Sequence, residues 1–418
     1  MLKILKFPEI RKKLIITVFI IISFRFLAHI PVPGIDIEAI RSYLEGNAIF
    51  GLFDLFSGGG FSNFSIVTLG VRPYINASII VQLLTMMIPS LEELSKEGDY
   101  GREKINMYTK IASIPMAFIQ AYGIYFLLSK QGIISSLNFS NLLLLILTLV
   151  AGSMFLVWLG EIASEYGLGN GISLLIFVSI ISRLPSGLIN ILASVSSGQL
   201  FNIILFLILA LLTIMGVVLV NEGTRNITIQ YGRRGASSQK VTNYLPIKIN
   251  QAGVIPIIFA VSIVSLPSML GSPFLASDNL FLQKIGAFFL TSFNSGSVGY
   301  NLFYFLLVVG FTYFYTSVQF NPEKISEDIK KRGGFIPGVR PGKSTAAYIG
   351  RIVSRITLAG AIFLGVIAIM PFLVQNFINV GGLNLGGTSL LIAVSVVLET
   401  YRQVESMTAT RSYDTFLR

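Results

Sequence analysis

The apolar positions of this chain fall in long runs, not in alternating or short amphipathic stretches. Asn141 to Gly160 and Phe201 to Val220 hold no charged residue, and a helix of that length crosses a hydrocarbon core ~30 Å thick. The pattern predicts ten helical spans: Leu14–Ile30, Ile66–Ile88, Ile111–Leu128, Leu142–Gly160, Gly171–Leu192, Ile203–Val220, Ala252–Leu270, Leu302–Phe320, Tyr348–Leu373 and Leu383–Val397. An even number of spans returns the C-terminus to the side of the N-terminus. The first run follows Arg11, Lys12 and Lys13, as the apolar stretch of a signal peptide would. Pro31-Val32-Pro33-Gly34 stands where a small-residue cleavage site would be, so we read a retained span.

Composition agrees with a membrane protein. Hydrophobic residues make up 53% of the chain and charged ones 12%, with a mean hydropathy of +0.75, which excludes a soluble enzyme or a disordered tail. The absence of cysteine excludes disulfides, thiolate metal sites and thiol nucleophiles. His29 is the single histidine, so no site can use two imidazoles; near a span end, it reads as an interfacial residue.

Charge sets the orientation. Assigning the N-terminus, the even-numbered connections and the C-terminus to one face collects 25 of the 31 Lys and Arg residues there, counting Arg351 and Arg355 with the eighth connection. Arg41, Lys130, Lys284 and, toward the far end of the fifth span, Arg183 fall on the other face, and Arg25 and Arg72 lie inside spans. The basic face is expected in the cytoplasm, and with it both termini. The net charge of +11 then reports topology, and nucleic acid need not be invoked. The connection Glu161 to Asn170 has two acids and no base, so its side rests on parity.

Two connections on the basic face are long, residues 221–251 and 321–347, with few apolar residues of their own. Ile227-Thr228-Ile229-Gln230-Tyr231 followed by Gly-Arg-Arg-Gly predicts a two-stranded hairpin. Pro337-Gly338-Val339-Arg340-Pro341-Gly342 predicts a rigid turn that holds Arg340 in water. Both connections suit a solvated face touching anionic lipid or a docking surface for a large soluble partner.

An internal repeat marks the second and seventh spans. Gly70-Val71-Arg72-Pro73-Tyr74-Ile75 and Gly253-Val254-Ile255-Pro256-Ile257-Ile258 both read Gly-Val-x-Pro-x-Ile, at matching places in two five-span halves. Proline-interrupted spans at matching positions point to a pathway at the repeat interface, and odd span numbers per half make the halves inverted. Val71 and Ile75, like Ile172 and Ile176, are four apart and share a helix face. Such aliphatics are either ordinary packing residues or a constriction that gates by excluding water. Before the second span, Gly51 to Phe64 is too polar and glycine-rich to cross, yet holds four aromatics. It reads as a segment folded back into a cavity, with little packing of its own.

These residues resemble the SecY family. The resemblance rests on Ile30-Pro31-Val32-Pro33-Gly34, Phe56-Ser57-Gly58-Gly59, Pro73-Tyr74-Ile75-Asn76-Ala77-Ser78-Ile79-Ile80 and Gly169-Asn170-Gly171-Ile172-Ser173. Asn250-Gln251-Ala252-Gly253-Val254-Ile255-Pro256, Phe335 to Gly342 and Gly386-Gly387-Thr388-Ser389-Leu390-Leu391-Ile392 extend it, in order, over nearly the whole chain. The bacterial and plastid type fits best.

The resemblance implies an all-α polytopic membrane protein, with ten transmembrane helices in two inverted halves, residues 1–200 and 201–418, around an hourglass pore. It implies a channel that passes unfolded preproteins and releases apolar segments laterally into lipid. The pore ring would be Val71, Ile75, Ile172, Ile176, Ile258 and Ile392. The plug would lie in residues 51–64, with Phe56, Ser57, Gly58, Gly59 and Gly60. A lateral gate would open between spans two and three and spans seven and eight, with Asn76 facing the region of Leu266. Arg233, Arg234, Lys248 and Arg340 would dock the ribosome and the SecA ATPase. SecE-like and SecG-like subunits, signal sequences and membrane lipid would be the other partners, in the plasma membrane or, alternatively, a plastid thylakoid. No cofactor is implied. Arg72 departs from the family's usual apolar or small residue, and its charge is expected to point off the axis into an aqueous external funnel.

A secondary transporter with inverted repeats would share this architecture, but no Asp or Glu lies inside a predicted span to serve as its coupling site; Glu161 and Glu399 are at ends. An intramembrane protease would need a membrane Asp pair, a zinc HExxH motif or a Ser–His dyad; the first two are missing, and His29 stands alone near a span end. No catalytic or metal-ligating residue is therefore assigned.

Overall fold

The computed structural model describes residues 8–33, 35, 37–40, 54, 57–130, 132–134, 137–193, 200–231, 242–275, 279–293, 297–377 and 387–416. Its elements run α1 (Pro8–Leu27), α2 (Arg72–Met87), α3 (Pro89–Lys96), α4 (Asp99–Lys130), α5 (Phe139–Tyr166), α6 (Gly171–Ala193) and α7 (Leu200–Glu222). They continue with β1 (Thr224–Tyr231), β2 (Thr242–Lys248), α8 (Ile255–Leu275), α9 (Leu280–Ser292), α10 (Val298–Gln319), α11 (Pro322–Lys331), β3 (Gly334–Phe335), α12 (Lys343–Phe377) and α13 (Gly387–Phe416).

The ten expected spans coincide with α1, α2, α4, α5, α6, α7, α8, α10, α12 and α13. Their ends differ where helices outrun the apolar run: α13 continues through Glu399 and Arg402, where charged side chains reach water and the backbone ladder persists. Among the described residues, four helices are long and apolar enough to cross a membrane unaided, or five if the bent pair α2–α3 counts as one. Helix α9 was not anticipated. Between α2 and α3 the chain bends by 102°, because Ile88 is extended ahead of Pro89.

Lipid-facing stripes are plain. Ile15, Phe19, Ile22 and Phe26 on α1 are all exposed, at spacings that share one face. Inside, α1 packs on α5 and α6, α4 on α2 and α5, and α5 on α6; in the other half α8 packs on α10, α10 on α12, α12 on α13, and α13 back on α7. The two sets meet through α6 with α13 and through α2 and α4 with α8.

Close backbone approach fixes the first set. A Cβ on Gly152 of α5 would sit 1.9 Å from the Ile66 carbonyl oxygen, just ahead of α2. Gly152→Ala must therefore push α5 away from that turn. Overpacking of this kind costs roughly 1–3 kcal/mol where side chains can yield, and backbone yields less. A melting temperature several degrees lower in detergent is expected, measured by thermal unfolding of the purified protein.

Candidate functional site

The repeat seen in sequence is a repeat of geometry. Gly70 and Gly253 both take left-handed φ, +60° and +64°, a conformation that favours glycine. Each is followed within a few residues by a helix, α2 or α8. Pro73 and Pro256 lie in the first turns and do not interrupt the spans, correcting the expectation of broken helices: proline's missing N–H has no partner to lose there. The Ile75 N–H donates to Val71 O at 3.1 Å and the Ile258 N–H to Val254 O at 3.2 Å. Each glycine carbonyl accepts one side-chain hydrogen bond, Gly70 O from Ser153 Oγ at 2.9 Å and Gly253 O from Asn250 Nδ2 at 3.2 Å.

All six residues assigned to the ring belong to, or pack against, one extensive apolar cluster that holds many other side chains. Val71, Ile75, Ile176, Ile258 and Ile392 are buried in one apolar cluster, and Ile172 packs against it half-buried. They come from the N-terminal ends of α2, α6, α8 and α13, elements that sequence alone cannot bring together. Val254, the repeat partner of Val71, lies in the same cluster, as the repeat suggests. Arg72 is half-buried, with its Nε donating to Leu69 O at 3.3 Å.

Beside this cluster lies the folded-back segment. Phe56 falls outside the described residues; Ser57, Gly58, Gly59 and Gly60 are all buried. The Gly58 carbonyl accepts from Arg25 Nη1 of α1 at 2.7 Å. Arg183 of α6 pairs with Asp54 and donates to Ser62 Oγ, and the Ser62 N–H donates to Asp54 Oδ1 at 2.8 Å. Gly58 is tight against α1 and α6: a Cβ there would meet Phe24 Cζ at 3.0 Å and Ser179 Cα at 3.1 Å. Phe61 and Phe64 are fully buried with Leu69, Ala117, Ala121 and Leu149, so the aromatic end of the segment is core and the expectation of little packing is corrected. The ion pair was missed; a lone Asp in the glycine-rich segment and a lone Arg in an apolar span were its only sequence signals.

Beyond the cluster opens a polar cavity of about 370 Å³, lined by Ser173, Asn221, Lys248, Asn250, Tyr315 and Arg402 among others. Asn250 Nδ2 donates to Asn221 Oδ1 and Asn221 Nδ2 to Ser395 Oγ, both at 2.8 Å. Arg402 pairs with Glu222 at 2.8 Å. Burial, then the nearby Arg402 charge, hold the Lys248 ammonium below the usual lysine range. Asn170 Oδ1 caps α6 by accepting from the Ile172 and Ser173 N–H groups at 3.1 and 3.2 Å. At this same end Lys110 pairs with Glu161 at 2.5 Å, Thr17 Oγ1 accepts from the Leu168 N–H at 3.0 Å, and Gln403 accepts from the Gly169 N–H. The acidic fourth connection thus shares a face with the basic second one, as parity required.

The predicted hairpin exists: β1 and β2 pair antiparallel from Thr224 opposite Lys248 to Gln230 opposite Thr242. Arg233 and Arg234 lie outside the described residues. The two long connections are not separate, however. Gln230 and Tyr231 pair with Phe335 and Gly334, giving a sheet in the order β2-β1-β3. Ile227, Ile229, Ile247, Ile329, Ile336, Ile349 and Val353 form a small core beneath it. The connections' few isoleucines suffice because they pool across both loops and α12. Arg340 is exposed, as expected, along with Lys330, Lys331, Arg332 and Lys343. Ser326 Oγ donates to Gly342 O at 2.8 Å and Thr345 Oγ1 to Arg340 O at 2.9 Å, pinning the turn. Asn76 is half-buried on α2; the Leu266 side chain lies outside the described residues.

The SecY family model matches residues 65–401. The protein translocase subunit SecY of Aquifex aeolicus is 43% identical over 424 residues, covering 98% of this chain and 97% of that one. A solved SecY structure, concerned with how the plug domain stabilizes the closed channel and maintains a membrane seal, covers 96% of both chains at 22% identity, with a TM-score of 0.64. Sec61 from the canine ribosome–channel complex of the endoplasmic reticulum covers 96% of both at 21% identity, with a TM-score of 0.63; these two likenesses concern the fold. With the Aquifex identity extending over nearly its whole length, the chain belongs to the SecY family, the non-enzymatic, ten-span, protein-conducting channel subunit of the Sec translocon.

Proposed function

We propose that Val71, Ile75, Ile172, Ile176, Ile258 and Ile392 seal the channel, and that the observation carrying this is that they reach one shared apolar cluster from four helix ends. A channel that passes many sequences should grip none. Aliphatic side chains deform around an extended chain without directional bonds, and an apolar neck excludes water at rest. Residues 54 and 57–64 act as the plug, supported by their anchoring to α1 and α6. Apolar segments leave between α2 and α4 on one side and α8 and α10 on the other, past Asn76 and the region of Leu266. Burial in lipid favours their exit by ~25 cal/mol per Å².

The energy for transport comes from a partner docked on the basic face. Arg340 and Lys248, with Arg233 and Arg234, would receive the ribosome, which the canine Sec61 complex contains, and the SecA ATPase. SecE-like and SecG-like subunits complete the assembly, in the plasma membrane, with residues 1–200 and 201–418 as its two halves and both termini in the cytoplasm.

Replacing Ile75 and Ile258 together with Ser tests the seal. Resting conductance in planar bilayers should rise on the order of tenfold or more, because a wetted neck conducts small ions. Unchanged resting conductance would remove the ring assignment.

A further inference from the structure

The Gly-Val-x-Pro-x-Ile repeat carries more than symmetry. We infer that Ser153 and Asn250 are positioning residues for the seal: their hydrogen bonds to the carbonyls of Gly70 and Gly253 hold the two ring-bearing helix starts in the closed arrangement. The inference rests on the ring reading above.

The geometry is matched in both halves. In each, a left-handed glycine precedes the valine, and the isoleucine follows one turn later. Val71 and Ile75 therefore move with the first turn of α2, and Val254 and Ile258 with that of α8. A polypeptide passing the neck must displace those turns. The residue able to absorb the change in φ and ψ at the least steric cost is the glycine next to them. Around Gly253 the space is open: a Cβ there would meet nothing within 4 Å. What resists rotation is a bond to the glycine's own carbonyl, supplied in the first half by Ser153 of α5 and in the second by Asn250, three residues earlier in the same connection. Ser153 is fully buried on α5. Asn250 sits at the end of the β2 strand, with Asn221 of α7 as its other partner. Neither donor belongs to the helix it restrains: Ser153 ties the start of α2 to α5, and Asn250 closes the turn that leads into α8.

The test is open fraction at rest, in bilayers holding the full channel assembly. Ser153→Ala and Asn250→Ala each remove one donor and should each raise the open fraction roughly fivefold. The two act on different helices, so the double variant should multiply the effects. Ser153→Thr keeps a hydroxyl and should restore most of the closed fraction. Asn221→Ala spares the bond to Gly253 and should change gating less than Asn250→Ala. A merely structural role would lower the melting temperature and leave open fraction unmoved; that outcome, or equal effects for Asn221→Ala and Asn250→Ala, overturns the inference. Should Ser153→Ala fail to assemble, Asn250→Ala on the cavity wall still decides. The Ile75 and Ile258 serine pair in the same membranes separates the two readings: leakage there with no effect at Ser153 and Asn250 leaves the ring standing and removes the positioning role.

Discussion

Preprotein entry into vesicles should fall by about a hundredfold when Arg340 is replaced by Glu, while membrane level and protease-mapped topology stay normal. The side chain is exposed on a turn whose glycines, Gly338 and Gly342, take φ of +81° and +100° and whose carbonyls are held by Ser326 and Thr345. A guanidinium so presented is a planar, two-pronged donor for a carboxylate or an RNA phosphate on a docked partner. Losing such a contact costs on the order of 2–5 kcal/mol, and reversing the charge adds repulsion. Arg340→Lys keeps the charge and loses the fork, so a milder defect, roughly tenfold, is expected. If Arg340 served only to fix orientation, both changes would be nearly silent, because many other bases remain on that face. The assay is preprotein uptake with the partner ATPase supplied, and normal uptake by the Glu variant at normal abundance would sink the docking role.

Arg183→Ala should release the plug. Asp54 keeps 12% of its side-chain surface exposed, and Arg183 29%, so removing the arginine leaves a carboxylate with little water to replace it. Breaking a buried pair costs about 3–5 kcal/mol; partial exposure brings this nearer 2–3 kcal/mol, a shift of roughly 30- to 100-fold toward the open channel. Adding Asp54→Asn should recover much of the closed state, because the neutral amide needs no counter-charge and still accepts from the Ser62 N–H. Single-channel recordings distinguish the variants, and a resting open fraction equal to that of the parent in Arg183→Ala would show that the plug is held by packing alone.

What sequence could and could not reveal follows from range. The left-handed glycines before α2 and α8 are local events, and the repeated Gly-Val-x-Pro-x-Ile made them visible. The β1–β2 hairpin was legible from alternation over a few residues. Ile392 was placed in the ring by resemblance, since one isoleucine in an apolar run has no distinguishing neighbour. The Asp54–Arg183 pair joins residues 129 apart, and β3 joins β1 with Phe335 opposite Gln230, across about a hundred residues. Neither leaves a periodic trace, because tertiary packing alone sets who meets whom. Phe61 and Phe64 were misjudged for a related reason: glycine and serine around them signal a loop, while burial depends on the face of α4 that happens to receive their rings.

The β2-β1-β3 sheet has a mechanical consequence. Strand β1 continues from α7, β2 leads to α8, and β3 lies between α11 and α12. A push at any point on that sheet is shared among four helix ends through strand hydrogen bonds and a common core. A docked motor or synthesising particle therefore bears on a braced frame, and its load reaches the Gly253 pivot and the long α12 strut together.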